Sequence, residues 1–406
     1  MLLAAGPLEA AAQGAPAGAD GDALRLLFDA RVRHETVESG AFEADARALT
    51  ARVRTGIEAR LFTGVDLLAE VDANQAFGLR DFNSTVNGRT EYPAIVDPNS
   101  QRINRLHLSL RSADGRHLVA GRQRIIHDDA RFVGNVGFRQ NEQTLDAVRL
   151  RMPLPGQTAL DYAFAWQANR VFGGESPLGT EDGRLHMGHL SRPMPGGTVT
   201  GFGYWFTFRE ALSRQSSRTL GARFRGSHLV TEDLRLHVLA SAADQRALGE
   251  VQADVSVGYV RVEGGVAHAG TGLSTSVNWE RLGGDGDRGF SFPLATLHAW
   301  QGFTDVFLAT PPDGLHDLRL EAAWDGSIPG GGVPARVAVR RHAFRSLHAA
   351  PGSLGGEWNL EVRVVPRSGL TVLARIADYT TETPETPAPW GSDVRKFWLS
   401  VEYARP

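Results

Sequence analysis

The chain is dominated by alternation of apolar and polar positions. In "LRLLFDARVRHE", Leu24, Leu26, Phe28, Ala30 and Val32 alternate with Arg25, Leu27, Asp29, Arg31 and Arg33. Successive side chains of a strand point to opposite faces, so this pattern predicts a strand with one apolar and one charged face. The same alternation recurs at 46–55, 59–72, 103–111, 117–126, 144–152, 159–170, 185–192, 198–208 and 218–225. It continues at 234–242, 252–262, 271–280, 315–325, 335–344, 357–365, 370–379 and 394–403, for about eighteen segments in all. Most have about the 9–11 residues that a tilted membrane strand needs. The clearer ones keep their charge on one face, as Asp66, Glu70 and Asp72 do opposite Val65, Leu67, Ala69 and Val71.

The connections separate a barrel from a sandwich. Even-to-odd connections are short and rich in glycine and proline: "SADGR" at 112–116, "PLPGQ" at 153–157, "PMPGG" at 193–197 and "PRSG" at 366–369, the longest being about 326–334. Odd-to-even connections are often long: 73–102, 127–143, 170–184, 281–314 and 380–393. A short/long rhythm is what an up-and-down barrel with turns on one side of a membrane and loops on the other produces. The fold expected is all-β, a transmembrane antiparallel up-and-down β-barrel of about eighteen strands, with both ends on the short-turn side. Phe202, Tyr204, Phe206 and Phe208 share one strand face, and Tyr162, Phe164 and Trp166 another. Phe397 and Tyr403 lie on the apolar face of the last segment. All are read as rings of interfacial girdles. Ordinary core aromatics are the alternative.

The connection 281–314 is long and greasy, and such loops are usually functional. Folded inward, it packs Phe290, Phe292, Leu294, Leu297, Trp300, Phe303, Phe307 and Leu308 against the barrel wall, and with Asp305 it forms the expected constriction. Folded as a rim cap, it packs on neighbouring loops instead. The loop 127–143 carries Asp128, Asp129, Phe132, Phe138 and Glu142 and is a second candidate for folding inward.

Composition narrows the function classes. The net charge of −3 gives no basic field for nucleic acid. Cysteine is absent, which removes disulfides, thiolate metal sites and cysteine nucleophiles. Lys396 is the only lysine, so arginine carries the positive charge. No apolar run reaches the ~20 residues of a membrane helix. Residues 1–22 read as a signal-peptide remnant or a disordered arm, followed by one barrel domain over 23–406.

Three stretches carry a family resemblance. "FSFPLATLHAWQGFTDVFLATPPDGLHDL" near the C-terminal third, "GRQRIIHDDARFVGNVGFRQNEQTLDAVRLR" at 121–151 and "NSTVNGRTEYPAIVDP" at 83–98 resemble segments of the alginate export family of outer-membrane proteins. The resemblance spans the chain from about Leu24. It implies an eighteen-stranded barrel in the outer membrane of a Gram-negative bacterium, with an electropositive pore. It further implies passive movement of a hydrophilic, often anionic, solute such as an alginate-like uronate, with outer-membrane lipid around the barrel and periplasmic secretion components as possible partners. Two features depart from the family: the chain ends "VEYARP" past Tyr403, and the expected turns are too short for a periplasmic lid.

On the charged face, Arg31, Arg33, Arg52, Arg54, Arg105, Arg122, Arg124, Arg149, Arg151, Arg223, Arg225 and Arg319 are expected to line the pore beside Asp66, Glu70, Asp161 and Glu321. Guanidinium forks bind carboxylates bidentately and keep their charge, and arginine rings select anions. Arg122, Arg124, Arg149 and Arg151 are the expected constriction cations. The alternative is a self-neutralising network that stiffens the wall. No catalytic residue, metal ligand or cofactor site is predicted: His186 and His189 of "HMGH" fall on opposite strand faces, "HDD" at 127–129 is isolated, and "GGDGD" at 283–287 lacks calcium-loop spacing. The expected function is a non-enzymatic porin or exporter passing anionic solutes, monomeric by preference. A barrel enzyme acting on lipid and a soluble β-sandwich binding protein are the alternatives.

Overall fold

A computed structural model describes residues 23–248, 256–348 and 352–405. The reading of residues 1–22, and the start of the segment predicted at 252–262, lie outside these. Eighteen strands follow the chain. They are β1 Leu24–Ser39, β2 Ala46–Phe62, β3 Val65–Asp81, β4 Ser100–Arg111, β5 His117–Gln123, β6 Thr144–Leu154, β7 Thr158–Asn169, β8 Thr180–Met194 and β9 Gly197–Phe208. The second half comprises β10 Ser217–Leu229, β11 Leu234–Ala247, β12 Ser256–His268, β13 Leu273–Leu282, β14 Leu315–Ile328, β15 Val333–Ser346, β16 Ser353–Arg367, β17 Leu370–Thr381 and β18 Val394–Ala404. Each predicted segment corresponds to one strand, except that 59–72 begins in β2 and crosses the turn at 63–64 into β3.

Every strand pairs antiparallel with its chain neighbours, and β1 also pairs with β18, with Asp29 opposite Ala404. The sheet therefore closes, and no edge is left with unpaired backbone groups. The turns at one rim are short. β2 passes to β3 through residues 63–64, where Gly64 takes φ of 77°, a conformation that glycine adopts without strain. The connection expected at 326–334 shrinks to 329–332, because both flanking strands extend. At the other rim, β3 runs on to Asp81, so the first long loop is 82–99, and β5 stops at Gln123, so the next is 124–143.

The outer wall is an apolar belt. Val53 and Ile57 on β2, Leu106, Leu108 and Leu110 on β4, Leu318 and Leu320 on β14 and Leu399 and Val401 on β18 are all exposed. An apolar surface encircling a closed barrel is stable in hydrocarbon and not in water. The inner wall holds the charges, with Arg33, Arg52, Asp72, Glu280, Asp317 and Lys396 buried. The chain is thus a transmembrane barrel rather than a sandwich.

Candidate functional site

Two long-rim loops enter the barrel and join. In the β13–β14 loop, Phe290, Phe292, Leu294, Trp300, Phe303 and Phe307 are buried, while Leu308 stays 48% exposed. It meets the β5–β6 loop in a short parallel pairing of Val133 with Leu294. Gly134 N donates to Leu294 O at 2.9 Å, and Thr296 N to Ala130 O at 3.0 Å. Thr296 Oγ1 accepts from Val136 N at 3.0 Å. Gln143 Nε2 donates to the carbonyls of Gly134 and Leu294 at 2.8 and 2.9 Å. Two irregular segments thus satisfy each other's backbone groups away from water, as buried backbone requires.

Where the joined loops touch the wall, the wall is aromatic. Phe132 lies 4.8 Å from Phe202, 5.6 Å from Tyr204, 5.3 Å from Tyr259 and 5.3 Å from Phe292, centroid to centroid. Phe202, Tyr204, Phe206 and Phe208 therefore face the lumen, where they are buried. This corrects the girdle reading for β9. On β7 the rings do face outward: Tyr162 and Trp166 are 40% and 44% exposed on the outer wall. Phe397 and Tyr403 alternate with the inward Lys396, Trp398 and Ser400 and so face outward.

Ion pairs pin the loops to distant strands. Arg131 Nε donates to Glu280 Oε1 on β13 at 2.9 Å, and both side chains are buried. Gln301 and Tyr259 donate to the same carboxylate. Arg139 Nη1 reaches Glu35 on β1 at 3.2 Å. Burial opposes the charge of Arg139, but Glu35, Asp97 and Asp305 outweigh it and hold its pKa above the ordinary guanidinium value. Asp305 accepts from His298 Nδ1 and from Lys396 Nζ, each at 2.8 Å. Arg31 donates to the Phe138 carbonyl at 2.9 Å, and Arg33 pairs with Asp97.

Most wall arginines are likewise consumed by wall acids. Arg31 meets Glu402 at 2.8 Å, and Arg52 pairs with Asp29. Arg54 lies 3.8 Å from Glu70, 3.4 Å from Asp72 and 3.5 Å from Glu142. Arg105 grips Glu70 at 2.9 and 2.6 Å, and Arg124 reaches Glu142 at 2.7 Å. Burial acts to raise Glu142, but Arg124, Arg54 and Arg105 hold it well below the usual carboxylate range. Arg149 pairs with Asp161, donating at 2.8 Å through Nε. Arg223 and Arg225 approach Asp129 at 3.0 and 3.5 Å. Arg319 reaches Glu263 at 3.0 Å, and Glu321 takes Arg336 and Arg340 at 3.1 and 2.7 Å. Arg111 pairs with Asp66.

Arg122 does not face the lumen. The inward set of β5 is His117, Val119 and Gln123, which line the lumen beside Arg149 and Arg151. Arg122 falls opposite Leu106, a member of the outer belt, and pairs with Asp146 at 2.7 Å. Arg124 does reach the lumen, because β5 has ended and the chain has turned inward.

One part of the lumen stays open. A cavity of about 630 Å³ reaches from Arg25, Glu58 and Gly115 at the short-turn rim to Gln123, Arg124 and Ile126 under the β5–β6 loop. Its lining includes six arginines, namely Arg25, Arg105, Arg111, Arg124, Arg149 and Arg151, against two carboxylates, Glu58 and Asp66. A second cavity of about 410 Å³ shares Gly115, Ile126 and Arg151 with it and adds His127, Asp128, Asp161 and His189. On this wall Arg151 Nη2 donates to His117 Nδ1 at 2.5 Å, and His117 Nε2 lies 2.7 Å from Ser109 Oγ. Arginine can only donate, so neutral His117 carries its proton on Nε2 and donates it to Ser109. Sequence reasoning missed this group and the anchors Asp97, Glu280 and Glu357, the last of which accepts from Thr304 N of the β13–β14 loop at 3.0 Å. Their partners lie in loops or on neighbouring strands, and alternation does not report such pairings.

The motifs set aside have plain roles. His186 faces outward, 2.8 Å from Tyr162 OH, and His189 faces inward against Tyr204 OH at 2.6 Å. Asp129 of "HDD" receives Arg261 Nη1 at 2.7 Å. Asp285 of "GGDGD" accepts from the backbone N of Asp287 and Arg288 at 3.0 and 2.9 Å, an Asx-type turn.

No protein-family model matches the chain, and no curated protein matches it in sequence. Solved structures do. OpdL from Pseudomonas aeruginosa superposes with a TM-score of 0.69 at 13% identity, covering 94% of this chain and 98% of that one. OccAB4 from Acinetobacter baumannii gives 0.70 at 12%, covering 95% and 98%. The outer membrane protein OpdK from Pseudomonas aeruginosa gives 0.69 at 14%, covering 94% and 98%, and OpdK has also been solved with vanillate. At such identities the likeness speaks for the fold, a porin-like eighteen-stranded barrel, and it does not single out the alginate export family.

Proposed function

We propose that the chain is a passive outer-membrane porin of a Gram-negative bacterium that conducts small hydrophilic anions, carboxylates above all, without catalysing a reaction. The observation that carries this is the chamber, where six arginines line an open space with two carboxylates among them. Five of the six also contact an acid, Arg25 with Glu58, Arg105 with Glu70, Arg111 with Asp66, Arg124 with Glu142 and Arg149 with Asp161, but they border open space rather than packed loop. Arginine in a narrow wet passage attracts anions and offers a fork to a carboxylate. OpdK, solved with vanillate, is a barrel of the same fold with a carboxylate as its ligand, which supports the class. Alginate-like uronates belong to that class and are the candidates the loop motifs suggest.

The enzyme reading has one geometric candidate, the Ser109–His117 pair. Its third member is a cation. Arg151 on Nδ1 fixes the tautomer that donates to Ser109, whereas a general base must accept there.

A planar-bilayer experiment tests the proposal. Under a tenfold salt gradient the reversal potential is expected to have the anion-preferring sign, and oligouronates or benzoate-type carboxylates are expected to reduce the current. Cation preference with no carboxylate block would overturn it.

A further inference from the structure

The outer wall carries two arginines on either side of a histidine, with no acid partner for either arginine among the described residues. On adjacent strands Arg281 stands opposite His316, and His316 opposite Arg345. All three share the face of Trp279 and Leu318, one pleat nearer the long-loop rim, since Trp279 pairs with Leu318 in the register. The residues opposite His316 on the two neighbouring strands are thus both arginines. Two guanidinium groups therefore flank the His316 ring, and an anion placed between them would meet both.

Three other outward cations at this rim do have acids. Arg122 meets Asp146 at 2.7 Å, Arg246 meets Asp244 at 3.4 Å and Arg395 meets Asp378 at 3.3 Å. Among the described residues neither Arg281 nor Arg345 has such a partner. His316 Nδ1 is buried with no hydrogen-bond partner, and the ring stacks on Trp279 at 5.6 Å. Below the row the wall is aliphatic, with Val277, Leu318 and Leu320 exposed. Two pleats down β15, Arg341 lies over the ring of the outward Trp358 at 5.5 Å.

We propose that this face of β13–β15 binds the phosphate of an anionic lipid headgroup, with the acyl chains lying along Val277, Leu318 and Leu320. The cations sit at headgroup height above a hydrocarbon-facing surface, where lipid is the neighbour with a fixed negative charge. The same chemistry would take free phosphate, so the test separates the two sources. The inference concerns the outer wall and stands apart from what passes through the lumen.

Native mass spectrometry of the full chain in detergent supplies the test, with dimyristoyl phosphatidic acid and dimyristoyl phosphatidylcholine as probes. The phosphatidic acid is expected to be retained several-fold better. In the Arg281→Gln/Arg345→Gln variant that retention is expected to fall roughly tenfold, and in Arg395→Gln to stay unchanged. Equal retention of the two lipids by the parent chain would overturn the proposal even if the double variant failed to fold. So would full retention of phosphatidic acid by a folded double variant. Displacement of phosphatidic acid by millimolar inorganic phosphate alone would overturn the lipid assignment.

Discussion

The two sides of the lumen use the same residue types to opposite ends. Along β9–β18 the inner wall is covered by the two inward loops. Aromatic rings there meet aromatic rings, as Phe132 meets Phe202, Tyr204 and Phe292, and the charges are buried in pairs such as Arg131–Glu280. Along β1–β6, towards the short-turn rim, the wall borders a cavity of about 630 Å³, and its arginines line that space, all but Arg151 of them also touching an acid. An arginine under the loops is a structural member: its charge is spent on a neighbouring acid and no solute reaches it. An arginine on the bare wall can meet a solute. Counting inward arginines along the chain therefore overstates the charge offered to an ion, and the burial of each one decides.

The largest effect expected from breaking this division is at Arg131. Its side chain is fully enclosed, it grips Glu280, and its guanidinium lies 3.8 Å from the centroid of the Phe292 ring. Replacing it by alanine strands a buried carboxylate, which costs about 3–5 kcal/mol. Urea titration of the refolded barrel should show that loss, and the conductance should rise as the loops loosen. An unchanged midpoint would mean that the loops do not need this pair.

Acid should act on the same division less strongly. His127 in the β5–β6 loop is held well below the ordinary histidine range by burial and by nearby His189 and Arg149. Burial likewise pulls His298 in the β13–β14 loop down to about 4, against the opposing pull of Asp305. Released loops would have histidines titrating near 6.5. The released state therefore binds more protons below that pH, so packing of the loops is at full strength above ~6.5. It weakens as pH falls towards ~4, by up to about 1.4 kcal/mol per unit for each histidine. Single-channel records from pH 7.5 to 4.5 should show growing conductance or flicker, and the His127→Gln/His298→Gln variant should flatten that slope. A slope that survives in the double variant would place the titrating group elsewhere.

Much of this was legible in the sequence, and the misreadings have physical causes. Alternation and loop length sufficed for eighteen strands, because one side chain in two must face hydrocarbon whatever fills the lumen. The inward course of the β13–β14 loop was readable from its apolar content. The orientation of the β9 aromatics was not. In "GFGYWFTF" the alternate positions Gly201, Gly203, Trp205 and Thr207 are no more polar than the phenylalanines, so the strand alone does not say which face is wet. Only the loop packed on it, through Phe132, makes the inner face the apolar one. On β7 the rings of Tyr162 and Trp166 alternate with Ala163 and Ala165, which sit buried inside, and there the simple rule holds. Arg122 failed for a different reason. Parity pairs it with Arg124, but the strand ends between them at Gln123.

On the bare wall the expected effects are electrical. Arg151 is exposed, and its only side-chain hydrogen bond among the described residues is to His117. Arg151→Ala should leave stability within about 0.5 kcal/mol. It should lower anion preference several-fold, since a unit charge a few ångströms from a passing ion in water is worth roughly 1 kcal/mol. A reversal potential that stays put would move the selecting charge away from this chamber.

The smallest effect sharpens the division most. Arg122 lies within two positions of Arg124, yet its register partner is Leu106 of the outer belt and its acid is Asp146. If the inward face alone sets ion preference, Arg122→Ala should shift the reversal potential by nothing measurable. Its stability cost should be that of a partly exposed ion pair, under about 1 kcal/mol. A selectivity change as large as that of Arg151→Ala would show that charge on the lipid side reaches the permeating ion. The distinction between bare and covered wall would then not be what governs the pore.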